Sequence, residues 1–267
     1  MRCLLALLFA LSAYAAPVPI FDGKSLAGWE GDAAWWRVED GEIRGGSSTV
    51  KVPKNFFLAT EKSYQNFDLR VKLRLTGTGF VNSGIQMRSV RVPNSSEMSG
   101  YQVDYGKGWY GKIYDESRRN KVIAESKDAA VVLATVKEGE WNEYRILAEG
   151  NRIRSWVNGV PALDYLETEP NIAADGKIGL QIHSGGMAVI QAKDITIEEL
   201  PATPGALTWD KLKPVAKKPE PAKAATPRKD TSYNDVQGVR RTAEEQQKLF
   251  KLPEGFEIEL FAKESAD

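Results

Sequence analysis

Nine residues restrict this chain more than any others. Phe67-Asp68-Leu69-Arg70-Val71-Lys72-Leu73-Arg74-Leu75 alternates strictly between apolar and charged. A period of two fits an extended chain with one dry and one wet face, so the segment is a half-buried antiparallel strand. Trp36 to Glu39, Asp40-Gly41 and Glu42 to Arg44 form a hairpin around a D-G turn. Arg152 to Val157, Asn158-Gly159 and Val160 to Leu163 form another. Trp141 to Ala148 and Ile190 to Leu200 add strands, and no long stretch of helical period interrupts them. Roughly ten or more strands between residues 17 and 200 predict an all-β domain, either a two-sheet sandwich or a jelly roll.

The flanks have a different character. A basic Met1-Arg2-Cys3, the apolar run Leu4 to Leu11 and the small-x-small Ala13-Tyr14-Ala15 read as a cleavable signal peptide over residues 1–15. The expected location is therefore secreted or periplasmic. Cleavage after Ala15 removes Cys3, the single Cys, and with it any dependence on disulfides. No later apolar run approaches the roughly 20 residues of a membrane span. Residues 201–230 hold six of the 13 prolines and seven Lys/Arg against three Asp/Glu, and read as an extended linker. Residues 231–267 offer one short amphipathic helix and one strand, too little to bury a core. They read as the start of a second domain, or as a contact for a partner domain or protein.

Charge and residue types narrow the chemistry. With 36 basic and 36 acidic side chains there is no net field to attract nucleic acid. The single histidine, His183, rules out zinc sites built on two or more histidines. No cofactor is expected.

Three strands lack the usual Lys/Glu coat on their polar face. Asn82, Gln86 and Arg88 share one face of 82–88, Gln102 and Asp104 one face of 101–105, and Gln181 and His183 one face of 179–183. Amides and guanidinium forks suit the hydroxyls of a sugar, and Asp and His suit proton transfer. The plainer alternative is three unrelated wet faces. Between Lys107 and Asn120 lies a second concentration, with Trp109, Tyr114, Asp115 and Arg118 as candidates for a sugar platform and its charged rim. Asp115 and Glu116 do not suit a paired glycosidase mechanism, because neighbours on a strand point to opposite faces.

Phe21-Asp22-Gly23-Lys24-Ser25-Leu26-Ala27-Gly28-Trp29 resembles the opening motif of the 3-keto-disaccharide hydrolase family. Asn82 to Ile85, Gly100 to Asp104, Gly139 to Arg145, Asn158-Gly159 and Gly176 to His183 match its later motifs in order. The resemblance covers residues 20–200 and implies a concanavalin-like jelly roll that cleaves 3-keto-glycosides. A ketone at C3 acidifies the C2 proton, so a base removes it, the C1 leaving group departs, and water adds to the enone. His183 or Asp104 is the expected base, and Arg88 the expected stabiliser of the enolate oxygen. A divalent metal on Asp104 and His183 in place of Arg88 stays open. A non-catalytic sugar-binding module and a structural adaptor are the rival readings. Leu249 to Leu260 is similar to the start of secreted sugar-dehydrogenase-like β-propellers.

The leader reading has a direct consequence. N-terminal sequencing of the exported protein should find a chain beginning near Ala16, and an intact Met1 on exported protein contradicts it.

Overall fold

The computed structural model describes residues 16–212. Their order is β1 (Val18–Pro19), β2 (Trp29–Glu30), β3 (Trp36–Glu39), β4 (Glu42–Gly46), β5 (Phe56–Tyr64), β6 (Phe67–Gly79), β7 (Asn82–Arg91) and β8 (Met98–Gly106). Then follow β9 (Lys112–Glu116), β10 (Val122–Glu125), α1 (Ala129–Thr135), β11 (Asn142–Glu149), β12 (Arg152–Val157), β13 (Val160–Leu166), β14 (Gly176–Ile182) and β15 (Gly186–Glu199). A 3-10 turn, Trp209–Lys211, lies beyond them. The leader and the tail expected at 231–267 fall outside the described residues, as does the linker beyond residue 212.

The strands form two antiparallel sheets, as the alternating pattern requires. One has eight strands in the order β13-β12-β11-β6-β15-β4-β3, with β1 beside β15, and the other has seven, β10-β9-β8-β7-β14-β5-β2. The alternating segment is β6, at the centre of the larger sheet, where Phe67, Leu69, Val71, Leu73 and Leu75 are buried. Both two-residue turns are present. Asp40 and Gly41, like Asn158 and Gly159, have positive φ, the conformation such hairpin turns demand.

Leu69, Leu73, Tyr144 and Ile146 of the larger sheet pack against Ile85, Val103, Ile113 and Leu180 of the smaller one in a single core. Burying each such side chain contributes about 2 kcal/mol. Two tyrosines tie the layers together. Tyr105 donates its hydroxyl to the Leu73 carbonyl at 3.2 Å, and Tyr144 donates to the Asp104 carbonyl at 3.3 Å. The helix α1 has no counterpart in the sequence reading, because seven residues with Val132 alone buried are too few to show a period.

Two expectations about organisation change. The even-residue pattern places Arg88 beside Gln86 on the polar face of β7. Instead the β7–β8 pairing slips between Met87 and Val90, and Arg88 adopts a φ of 48°. Such a bulge re-aims the side chain. The Arg88 guanidinium runs to the end of the sandwich, donating to the carbonyls of Gln65 (2.7 Å) and Gly150 (2.6 Å) and to Asn66 Oδ1 (3.0 Å). Burial pulls it down to about 10.

The second change is the domain boundary. Residues 201–212 pack on the sandwich rather than leaving it at residue 200. Asn66 donates its side-chain amide to the Pro201 carbonyl, Thr203 donates its N–H to Gln65, and Trp209 donates its indole N–H to the Arg88 carbonyl at 3.1 Å. Five of the counted six prolines lie beyond this strap or at its start, so composition alone hid its anchoring residues, Thr203 and Trp209.

Arg88→Met should lower unfolding stability by about 3 kcal/mol, because it removes three charge-assisted hydrogen bonds from the end of the sandwich. A denaturant titration reads this as a shift in midpoint, and an unchanged midpoint contradicts the structural role given to Arg88.

Candidate functional site

The outer face of the seven-stranded sheet carries the candidate site. Strand register sets it up. Gln181 of β14 pairs with Gly84 of β7, and Gly84 pairs with Asp104 of β8. One row along, Gln86 pairs with Gln102, which pairs with Tyr114 of β9. Glu116 lies two residues beyond Tyr114 and so on the same face. His183 follows β14 and shares its face with Gln181.

Phe80, Asn82, Gln102, Asp104, Trp109, Tyr114, Glu116 and His183 line one pocket of ≈ 130 Å³. Six of the residues expected from sequence are therefore together: Asn82, Gln102, Asp104, Trp109, Tyr114 and His183. Gln86 and Gln181 are on the same face but fully buried beneath the opening.

Three expected site residues are elsewhere. Arg88 is at the sandwich end. Asp115 lies on the inner face of β9, where it pairs with Arg118 and Arg119. Arg118 stacks on Tyr101, its guanidinium 4.5 Å from the ring centroid, with Trp209 on the other contact at 5.7 Å. Asp115 and Arg118 thus serve an internal ion cluster. The cluster includes Glu167, where Arg119 and the hydroxyls of Tyr101 and Tyr165 outweigh the upward push of burial and hold the carboxyl near about 2.

The pocket floor is a directed chain of hydrogen bonds. Ser89 Oγ donates to Gln86 Oε1 at 2.6 Å, and Gln86 Nε2 donates to Gln102 Oε1 at 3.2 Å. Gln102 Nε2 then donates to Asp104 Oδ1 at 2.9 Å and to Gln181 Oε1 at 3.3 Å. The Asp104 oxygen fixes the orientation, since a carboxyl oxygen facing an amide at this distance accepts from its nitrogen. Two atoms remain unpaired at the end of the chain, Asp104 Oδ2 and Gln181 Nε2.

Burial pushes Asp104 up to about 8; Gln102 and the charge of Lys112 pull it down, and Glu116 adds to the rise. Near neutral pH its carboxyl is protonated. Oδ1 accepts from Gln102, so Oδ2 carries the hydrogen and is a donor. Burial also lifts Glu116 to about 7, helped by the negative charges of Glu97 and Asp115. The imidazole of His183 is held differently. Its Nδ1 is 2.8 Å from the Ser184 carbonyl, which can only accept, so Nδ1 carries a hydrogen. In the neutral ring Nε2 then has its lone pair free. Phe80 braces the ring edge-on, with centroids 4.7 Å apart and planes at 64°. Trp109 and Tyr114 meet edge-to-face at 6.2 Å and form the aromatic wall.

Glu116, Phe80 and Lys112 escape the sequence reading. Glu116 lies two residues from Tyr114 on the same face, the signal that marks it, whereas its neighbour Asp115 faces the other way. Lys112 continues the register beside Asp104, 5.4 Å from the Trp109 ring centroid and 3.7 Å from Glu125. Phe80 sits in the turn after Gly79 and has no periodic signal. Among the described residues no group of three or more His, Cys, Asp or Glu side chains is arranged around a common metal position. No helix among them is long and apolar enough to cross a membrane.

Residues 16–198 match the model of the 3-keto-alpha-glucoside-1,2-lyase-like domain family. No curated protein sequence matches the chain. Among solved structures, a Parabacteroides distasonis protein that carries the name of a glycosyl hydrolase is 20% identical, with a TM-score of 0.50 over 69% of this chain and 94% of that one. A Bacillus subtilis protein of unknown function with a galectin-like fold is 11% identical, with a TM-score of 0.51 over 71% and 99%. The carbohydrate-binding module CBM66 of Bacillus subtilis is 16% identical, with a TM-score of 0.48 over 64% and 96%. The first two establish the two-sheet fold.

The raised carboxyls have a thermodynamic signature. Asp104 moves from 3.8 to about 8, so between those values the folded state binds more protons than the unfolded chain. Its contribution to stability is complete below about pH 4 and is lost as pH rises through 8. The melting temperature should fall by on the order of 10 °C across that window. Asp104→Asn, which mimics the protonated acid, should flatten the fall, and an equally steep profile in the variant contradicts the assignment.

Proposed function

Because the chain belongs to the 3-keto-alpha-glucoside-1,2-lyase-like domain family, we propose that its pocket cleaves 3-keto-glycosides by elimination followed by hydration. One observation carries this reading: three proton-carrying side chains from different segments, His183, Asp104 and Glu116, open into one pocket with an aromatic wall. Two of them are carboxyls lifted into the range where they are acids near neutral pH.

Each group has one task. His183 Nε2 takes the proton from C2, and the C–H electrons pass into an enolate at C3. Asp104 Oδ2 donates a hydrogen bond to the enolate oxygen, as preorganised donors do for developing oxyanions. The enolate re-forms the ketone as the C1–O bond breaks, and Glu116 gives its proton to the departing oxygen. Water then adds to C1 of the enone, losing a proton to the Glu116 carboxylate, and His183 returns its proton to C2. Every proton is restored, and the sum is hydrolysis of the glycoside. The fixed positive charge sought in Arg88 is replaced by a neutral acid. Export, expected from the leader, places this activity outside the cytoplasm.

His183→Ala should lower kcat/KM on a 3-keto-glucoside by about 10²–10⁴-fold, the range for general acid or base removal. Glu116→Gln should cost a similar factor on an alkyl leaving group and much less on a nitrophenolate, which departs without a proton. Turnover unaffected by either change defeats the assignment. Absence of turnover together with a thermal shift from plain glucosides identifies a sugar-binding module instead.

A further inference from the structure

His183 lies just outside its strand. The ladder between β5 and β14 ends at the pair Phe56–Ile182, so Asn55 and His183 are the first residues beyond it, one from each strand. Each sits two positions from the registered pair Phe57–Gln181, which puts both on the outer face. The aim of the imidazole depends on the Ser184 carbonyl, the acceptor for Nδ1 at 2.8 Å. A bond from a ring to the carbonyl of the next residue closes only when the backbone dihedrals between them are fixed.

Two peptide planes flank Ser184, and each has one N–H to hold it. In the plane that follows, Gly185 donates its N–H to the Val52 carbonyl at 2.9 Å, a backbone bond that needs no particular side chain. In the plane that precedes, Ser184 donates its N–H to Asn55 Oδ1 at 3.0 Å. Here a side chain does what a strand neighbour does elsewhere. Phe80 braces the ring from the side, but it has no polar atom and cannot choose between the two nitrogens.

We infer that Asn55 is a positioning residue for His183: by holding the Ser184 peptide it keeps the hydrogen of the neutral ring on Nδ1 and leaves Nε2 bare. The inference rests on the reading of His183 as the base. Which nitrogen carries the hydrogen is set by the bond that the other part of the ring makes. Free histidine favours hydrogen on Nε2, and a ring in that form presents a donor where the reaction needs a lone pair. Asn55 touches neither the ring nitrogens nor the reacting atoms in this scheme, and acts through one peptide group.

His183 is the single histidine of the chain, so protein labelled with 15N-histidine reports its ring nitrogens directly by NMR. Spectra recorded well above the usual imidazole range of roughly 6.5 see the neutral ring. The wild type should carry its hydrogen on Nδ1. Asn55→Ala should move it to Nε2 in a large share of molecules, and Asn55→Asp, which keeps an oxygen for the Ser184 N–H, should not. Asn55→Gln, whose longer arm misplaces that oxygen, gives the reading if the alanine variant does not fold. On a 3-keto-glucoside, kcat should fall roughly tenfold in Asn55→Ala with KM within about twofold, and Asn55→Asp should recover it. Hydrogen retained on Nδ1 in both Asn55→Ala and Asn55→Gln, or lost from it in Asn55→Asp, overturns the inference. A hydrogen that moves while kcat stays unchanged upholds the role of Asn55 and removes His183 as the base. A wild type without turnover, in which the hydrogen still moves on substitution, upholds the inference and overturns the keto-glycoside reading.

Discussion

A sheet that covers its own polar face must satisfy buried amides and carboxyls with one another, and here Gln102 does so. Its amide reaches Asp104 along β8 and crosses β7 to Gln181. The crossing is open because residue 84 is glycine. A Cβ there would sit 2.5 Å from the Gln102 Cγ and Cδ. Without the crossing, the buried Gln181 Oε1 would lose its partner. The bond to Asp104 fixes which of its oxygens is spare. The missing side chain at Gly84 and the protonated state of Asp104 are thus two ends of one packing arrangement.

Period-two geometry sends adjacent carboxyls into opposite environments. Asp115 faces inward and is met by Arg118 and Arg119, while Glu116 faces outward into a pocket whose lining has no cation. Glu167 joins the inner cluster near about 2, and Glu116 rises to about 7. The contrast lies in the partners, since burial pushes both upward. Separation of like groups in this way divides structural charges from groups able to exchange protons near neutral pH.

The fold was readable because β6 and the two hairpins follow local rules, namely alternation and turns that need positive φ. The site was readable in part. Asn82, Gln102, Asp104 and His183 obey unbroken alternation and lie where it places them. Arg88 fails at the bulge between Met87 and Val90, where the backbone of β7 packs closely against Gly176. A Cβ on Gly176 would meet the Arg88 carbonyl carbon and the Ser89 nitrogen at 2.5 Å. Sequence spacing cannot report a contact between residues that far apart. Trp209 is similar: it sits among linker-like residues, and its partners, Arg88 and Arg118, are about a hundred positions away.

Replacing Arg88 by Asp104 changes the character of the proposed reaction. A fixed cation stabilises the enolate oxygen by charge, and it would also depress the neighbouring carboxyls and strip them of their protons. The pocket lining has no cation, and Lys112, the nearest one in register, is drawn toward Glu125 and the Trp109 ring. Its pull on Asp104 is smaller than the effect of burial. Both carboxyls are therefore held toward the protonated form. A protonated carboxyl beside an imidazole oriented by the Ser184 carbonyl is a pair that elimination next to a ketone can use. The bulge that removes Arg88 from the pocket is, on this reasoning, a condition of the chemistry as well as of the fold.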